Sequence, residues 1–297
     1  MNTDWTAHFL TGIDLPASDV PALCAAAAPL EADTDWQPLV ARFMAREYRG
    51  ISEILDAAAV IGARHGIHRF TTHLLFYAAA AEPLLAEYRA HRVDEAIFWD
   101  TMRDLKYKYF ECLAVKRIPG TFVPEWHAGF FHMDRFALGR LQYEYAPFHA
   151  DAFSRGGLTL HRGDRVLNCH IPSSGPLTEA SRLDSYRRAH DFYKNDFPGG
   201  VTPIVCSSWL LYPPHEEFLP PDSNILSFLH DFTILSSGVD EKFSNAWRVF
   251  GAAAARDPQN WPRDTRLRRA FADRILSGGT VGHGYGVIFF DGEKILR

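Results

Sequence analysis

The sequence predicts an α+β protein in two parts, an all-helical N-terminal domain over residues 1–135 and a mixed β-sheet flanked by helices over residues 136–297. Two observations carry this. At 297 residues the chain exceeds the usual ~100–200 per domain. The spacing of its apolar residues also changes near residue 136, from three and four residues to two. With 47% hydrophobic residues and 22 Phe, there is ample material for a core.

The helical part reads directly. "WQPLVARFMAREY", "ISEILDAAAVIGARHG", "THLLFYAAAAEPLLAEYRA" and "DEAIFWDTMRDLKYKYFECLAVKR" are rich in Ala, Leu, Glu and Arg, with the periodicity of amphipathic helices. "IPGTFVP" interrupts them with Pro and Gly, and one further aromatic helix, "EWHAGFFHMDRFAL", follows. After Gly139, "RLQYEYAPF" sets Arg140, Gln142 and Glu144 on one side against Leu141, Tyr143 and Tyr145 on the other, as a strand does. "GLTLHRGDRVLNCHI" reads as a hairpin about Arg162-Gly163-Asp164, and "TPIVCSSWLLY" as another strand between prolines. "DSNILSFLHDFTILSS" gives a helical turn capped by Asp222 or Ser223 and then a strand. "DTRLRRAFADRILSGG" is a helix and "GYGVIFFDGEKIL" a closing strand.

Charge and composition narrow the function. Lys and Arg total 31 against 36 Asp and Glu, a net charge of -5, so no global positive field favours a nucleic acid partner. Cys24, Cys112, Cys169 and Cys206 are too sparse for a disulfide framework or a Cys-x-x-Cys knuckle, which fits a reducing, cytoplasmic setting. The start "MNTDWTAHFL" lacks the basic region of a secretion signal, and the run Leu74–Ala81 falls short of the ~20 apolar residues a membrane helix needs. The expectation is a soluble protein with no membrane partner.

One stretch suggests a site. In "RVLNCHIPSSGPLTEASRLDSYRRAHDFY", Leu167, Cys169 and Ile171 face one way along a strand, Asn168 and His170 the other. The chain then turns through Pro172-Ser173-Ser174-Gly175-Pro176, and Thr178 is a good N-cap for a helix from Glu179. A small-residue loop feeding a helix N-terminus aims unpaired N–H groups and a positive dipole end at one place, as an anion site requires. Ser173, Ser174, Gly175 and Thr178 can donate there, and Arg182, Arg187 and Arg188 could reach a phosphate from the helix. An ordinary capped helix is the plain alternative, since Pro172 and Pro176 lack N–H groups and Glu179 is acidic.

"RFALGRLQYEYAPF", "VLNCHIPSSGPLT", "IVCSSWLLYP" and "LPPDSNILSF", in that order, resemble a family of bacterial N-acyltransferases of the GNAT type, with a helical N-terminal domain before a GNAT-like C-terminal domain. The resemblance covers nearly the whole chain. It implies acetyl-CoA or another acyl-CoA as co-substrate, no metal, and a small-molecule or peptide amine as acceptor. It also implies that Asn168, Cys169 and Ile171 end a strand that splays from "TPIVCSSWLL", and that Ser173, Ser174, Gly175 and Thr178 lie in the turn that holds the pyrophosphate. The superfamily's usual turn, Arg/Gln-x-x-Gly-x-Gly/Ala, is replaced here by Ser-Ser-Gly-Pro.

Such a reaction, direct attack of an amine on a thioester in a ternary complex, needs a base, a group that polarises the carbonyl and a proton for the departing thiolate. Glu144 or His170 would be the base; Ser208 or Tyr212, with Tyr285 as a further option, would supply the proton. Asn168 would orient the amine or bond the pantetheine amides.

Other constellations compete. A binding module responsive to CoA, without turnover, is one; a hydrolase using Cys206 with His170 is another. His65, His68 and His73 lie close in sequence but off a common helix face, with no carboxylate at a ligand position. "SGGTVGHGYGVIFF" leads into a strand and reads as a flexible connection. Arg263, Arg266, Arg268 and Arg269 form a solvated face or a contact for the 3′-phosphate of CoA.

Overall fold

The computed structural model describes residues 3–297 and divides the chain into Met1–Phe136 and Ala137–Arg297. The first two residues of the stretch weighed as a leader lie outside the described residues.

The first unit is helical: α1 (Thr3–Gly12), α2 (Val20–Ala32), α3 (Trp36–Met44), α4 (Ile51–Arg64), α5 (Arg69–Ala90), α6 (Glu95–Met102), α7 (Asp104–Lys116) and α8 (Ala128–Phe131). Helix α5 is its axis. It is buried round most of its circumference from Thr71 to Tyr88, with α1, α3 and α4 packed against it, and it runs on through Pro83 where the apolar run itself ends. Two expectations are corrected here. Residues 94–117 form two helices that meet at Arg103, whose guanidinium is held by Asp14 at 2.8 Å. The aromatic stretch after residue 124 is a 3₁₀ turn and the four-residue α8, ended by Met133 at φ 55°, a left-handed conformation that stops a helix. Its last residues enter strand β1 (Arg135–Leu138).

The second unit contains β2 (Leu141–Pro147), β3 (Ala152–Arg155), β4 (Leu158–His161), β5 (Arg165–His170), α9 (Glu179–Tyr193), β6 (Thr202–Ser208), α10 (Asn224–Leu229), β7 (Thr233–Val239), α11 (Ala246–Phe250), α12 (Arg266–Leu276) and β8 (Gly282–Phe290). The main sheet has the order β1-β2-β5-β6-β8-β7, with β5 and β6 parallel and the pairs β2–β5, β6–β8 and β8–β7 antiparallel. The predicted hairpin about Arg162-Gly163-Asp164 does not form. Strand β4 pairs with β3 in a separate two-stranded sheet, and β5 pairs with β2. Phe148 bonds the backbone of Gly163 and Asp164 at 2.9 and 2.7 Å, which turns the chain from the small sheet into the large one.

Register and alternation sort the sheet into two faces. One carries Tyr143, Leu167, Cys169, Ile204 and Cys206 under α9, where Tyr143 and Ser185 hydroxyls meet at 3.0 Å. The other carries Glu144, Asn168, His170, Val205, Ser207 and Tyr285; at its far end Phe148, Val166, Val205, Val287 and Phe289 form an apolar cluster with Leu160 of β4. A buried ion pair ties α9 to the end of α10. Arg182, fully buried, donates to Asp231 at 2.7 and 3.3 Å, to Ser227 at 2.9 Å and to the Leu177 carbonyl at 2.8 Å.

The glycine-rich "GHGYG" is part of β8 and not a flexible connection. Gly282, Gly284 and Gly286 share the α9 side of the sheet, where other backbone approaches closely: a Cβ on Gly284 would lie 2.0 Å from the Leu211 carbonyl oxygen. Glycine there lets the chain after β6 rest on bare strand. Gly284→Ala is therefore expected to lower stability by about 1–3 kcal/mol, since backbone must move to admit one methyl group; urea denaturation measures this.

Burial disfavours the charged form of His73, His127 and His215, most strongly in the last two. Burial depresses His127, in the first unit, to about 3, and His215, in the second, to about 4, from an ordinary 6.5. Folded histidines thus stay neutral while unfolded ones take up protons below about 6.5. Their stability contribution is complete above that value and is lost as pH falls towards 4 and then 3. Denaturation at pH 7.5, 6 and 5 should show falling stability, with a shallower slope in His215→Phe.

Candidate active site

Strands β5 and β6 pair at only two positions, Leu167 with Ile204 and Asn168 with Val205. Strand β5 nonetheless continues to His170, held by β2 through Gln142, and β6 continues to Ser208, held by β8 through Gly284. The two therefore part after Asn168 and Val205, leaving a fork between parallel strands whose facing backbone edges are no longer paired to each other. The splay expected from the sequence is present, at the residues that lead into the turn.

The turn is clamped from one side. Arg140 donates to the carbonyls of Pro172 at 2.9 Å, Gly175 at 2.8 Å and Pro176 at 3.2 Å. In a trans peptide, C=O and N–H point in opposite directions. The N–H groups of Ser173 and Leu177, which share peptide units with the Pro172 and Pro176 carbonyls, are thus aimed away from Arg140. Gly175 takes φ 100°, a left-handed conformation that suits glycine, and its Cβ position faces open space. Thr178 caps α9, its hydroxyl accepting the Ser181 N–H at 3.3 Å. The Ser174 hydroxyl oxygen is buried without a partner in the turn. Arg140 was missed in the sequence because nothing there shows that a residue before one strand reaches the loop after another.

Of the arginines proposed to reach phosphate, Arg182 is committed to Asp231 and Arg188 to Asp184 at 2.8 Å. Arg187 is exposed on α9. The cluster near α12 is a paired surface: Arg266 meets Asp222, Arg268 meets Asp264, and Arg263 meets Asp273.

Beside the fork, His170 Nε2 lies 2.6 Å from Glu144 Oε1 and 3.1 Å from Asn168 Nδ2. Ser207 and Tyr285 are cross-strand neighbours on the same face. The Tyr285 hydroxyl accepts the His149 N–H at 3.2 Å, and partial burial raises its pKa, which keeps its proton available at neutral pH. The structure thus brings Glu144, Asn168 and His170 together. It does not bring Ser208 or Tyr212 to them: Ser208 points to the other face and accepts the Leu210 N–H at 3.1 Å, and the Tyr212 hydroxyl meets Thr280 at 2.9 Å. Ser207 was overlooked for Ser208 because one residue changes the face, and the face depends on a pairing that sequence does not reveal.

Cys169 and Cys206 lie buried on the opposite face from His170, so the Cys206–His170 pairing is corrected. Burial, with Cys206 beside it, holds the Cys169 thiol well above its ordinary pKa, and it stays protonated. The three histidines near residue 70 are apart in function: His65 pairs with Asp33 at 2.9 Å, His68 caps α5, and His73 bonds the Leu55 carbonyl at 3.1 Å. Among the described residues, no three His, Cys, Asp or Glu side chains gather as a metal site.

Residues 136–288 match the family described as the GNAT-like C-terminal domain, and residues 4–133 the N-acyltransferase N-terminal domain. The chain belongs to the GNAT-type N-acyltransferases. Among solved structures, this acyltransferase is similar to a crystal structure of an acyltransferase in complex with decanoyl-CoA and teicoplanin, with TM-score 0.76 and 21% identity over 95% of this chain and 87% of that one. It is likewise similar to an acyltransferase in complex with decanoyl-CoA, with TM-score 0.74 and 24% identity over 97% and 88%, respectively. A third, in complex with CoA and 10C-teicoplanin, has TM-score 0.74 and 20% identity over 94% and 86%. At these identities the likeness establishes a common fold. No curated protein matches the sequence.

Replacing Arg140 tests the clamp. Arg140→Met keeps the chain length but leaves the carbonyls of residues 172, 175 and 176 without their donor. Isothermal titration of the enzyme with CoA should show affinity lowered about 10-fold or more, as expected for losing about 1.4 kcal/mol or more of orientation in the turn.

Proposed function

We propose that this acyltransferase transfers an acyl group from acyl-CoA to an amine by direct attack, with His170 as the base. The observation that supports it is the fork between β5 and β6, bounded by the Arg140-clamped turn and flanked by His170. The turn, through Ser173, Ser174, Gly175 and Thr178, would receive the pyrophosphate at the N-terminus of α9. Asn168 and Cys169 at the end of β5, with Ile171 just beyond it, would offer their backbone edge to the pantetheine.

In the reaction the amine nitrogen attacks the thioester carbonyl carbon. A C–N bond forms, the C–S bond breaks, and the amine proton passes to His170. The leaving thiolate takes a proton from a hydroxyl on the same face; the cross-strand pairing of Ser207 with Tyr285 on that face supports one of these two in preference to Ser208 and Tyr212. Buried Cys169 and Cys206 on the far face favour direct attack over a cysteine-bound acyl intermediate. A binding module alone would not need a histidine held by a carboxylate beside the fork.

The acyl group was expected to be acetyl. The decanoyl-CoA complexes of similar acyltransferases favour a medium chain, and their teicoplanin complexes favour a glycopeptide amine as acceptor. In the cell, a cytoplasmic site would supply acyl-CoA. Free thiol released from acetyl-, octanoyl- and decanoyl-CoA should be followed with amine-bearing glycopeptides, amino sugars and peptides. Transfer by the wild type, with kcat about 10²–10⁴-fold lower in His170→Ala, is the expected result. CoA binding with no thiol released from any pair would leave the module reading.

A further inference from the structure

The ladders of the main sheet set one row of side chains across its second face. Ser207 stands opposite Tyr285 and Tyr285 opposite Ser236, while His170, two residues past Asn168 as Ser207 is two past Val205, continues the row beyond the fork. His283 faces the same way as Tyr285, two residues along β8, and is exposed, as are Ser207 and Ser236. Because β8 runs antiparallel to β6, His283 lies past Ser208, the last paired residue of β6, at the end where the fork opens. Its partner on β7 is Gly238.

That glycine is not required by its backbone, which lies within β7 and outside the left-handed region. A Cβ at Gly238 would instead lie 3.0 Å from His283 Cε1, 3.3 Å from Nε2 and 3.8 Å from Nδ1, so the imidazole reaches over bare strand. Among the described residues, none hydrogen-bonds or ion-pairs with this ring. Its two nitrogens, one a donor and one an acceptor in the neutral ring, are thus left for a ligand. Helix α9 lies over the first face and the turn that would receive CoA opens at its start, so in the proposed reaction the acceptor comes to the second face, where His170 and His283 are.

We propose that His283 is a specificity-determining residue: it hydrogen-bonds the acceptor at a point remote from the reacting amine and so selects extended acceptors over short ones. The inference rests on the acyl-transfer reading with His170 as base. Two strand spacings across the sheet and two residues along it separate the two histidines, roughly 10–12 Å between Cα atoms. An acceptor that meets both is therefore about three residues of extended peptide long, or several sugar units, with a hydroxyl or amide at its far end. A single amino sugar is shorter than that span and engages the fork alone. His283 takes no part in the bonds that form and break; it acts on binding.

The test compares a short and an extended acceptor, glucosamine and an amine-bearing glycopeptide, by thiol release from decanoyl-CoA in the full chain. In His283→Phe a ring still covers Gly238 but cannot hydrogen-bond. KM for the glycopeptide should rise about 3- to 10-fold, the loss of one hydrogen bond, with kcat changed less than about 2-fold and the kinetics of glucosamine unchanged. His283→Gln, which keeps a donor and an acceptor, should recover part of the loss, and Gly238→Ala, whose methyl presses on the ring, should raise the same KM by less. Isothermal titration with CoA and the Tm should match the wild type in His283→Phe. An unchanged KM for the glycopeptide overturns the proposal, as does an equal rise for both acceptors, which would make the ring a support of the sheet; wild-type transfer to glucosamine but not to the glycopeptide overturns it too. If the wild type binds CoA yet releases no thiol with these or with peptide amines, the acyl-transfer reading itself fails, whereas turnover without discrimination by His283 defeats the proposal alone.

Discussion

Everything at the site depends on the antiparallel ladder between β2 and β5. It holds β5 along its whole length, from Arg165 to His170, through six consecutive partners on β2. Because one edge of β5 is fully engaged, the other can leave β6 after two positions without the strand losing its place. A parallel pair that separates would otherwise expose backbone donors and acceptors along two loose ends, which is costly when they are buried. Here each strand is secured from outside the fork, β5 by β2 and β6 by β8 over seven positions. In the proposed reaction, an extended substrate with amide groups of its own takes the place of the missing ladder.

The same ladder explains why two distant-looking residues act at one end of β5. Arg140 precedes β2 and Glu144 lies within it, and β2 runs antiparallel to β5, so the start of β2 lies beside the end of β5. Arg140 consequently reaches the turn after β5, and Glu144 reaches His170 near its end. Behind the sheet, the Arg182–Asp231 pair joins the helix that follows the turn to the end of the helix that follows β6. A buried ion pair adds little over an apolar contact of equal volume, but it is directional, and losing one partner is expensive. It therefore limits how far the segments after the two strands can drift.

Periodicity exposed the helical first third, the change of period near residue 136 and the two faces of β2, since these follow from local alternation of apolar residues. It also exposed the turn and its cap, because Pro, Gly, Ser and Thr there have local conformational reasons. Pairing was out of reach. "GLTLHRGDRVLNCHI" has the local signature of a hairpin, yet Phe148, distant in sequence, redirects its turn. "GHGYG" looked loose because glycine weakens an isolated strand, whereas its lack of side chains is what lets Leu211 and Tyr212 come close. Likewise Glu144 and His170 were both visible as polar strand residues, but only the register makes them a pair.

The two faces then divide the work by chemistry. Beneath α9, the small buried thiols of Cys169 and Cys206 and the hydroxyls of Tyr143 and Ser185 make a closed, satisfied layer in which a charged intermediate would be poorly stabilised. Across the sheet, a carboxylate, an imidazole, an amide and two hydroxyls share a partly exposed surface, where in the proposed reaction a forming imidazolium would meet both water and the Glu144 carboxylate. In the proposed reaction, proton transfer belongs to the second face, and the first serves as its rigid backing. That division also accounts for the tolerance of an unusual turn. With Arg140 holding the carbonyls to one side, Ser-Ser-Gly-Pro keeps N–H groups directed to the other despite its prolines, and the anion binding proposed for the turn would rest on peptide orientation instead of on a particular glycine pattern.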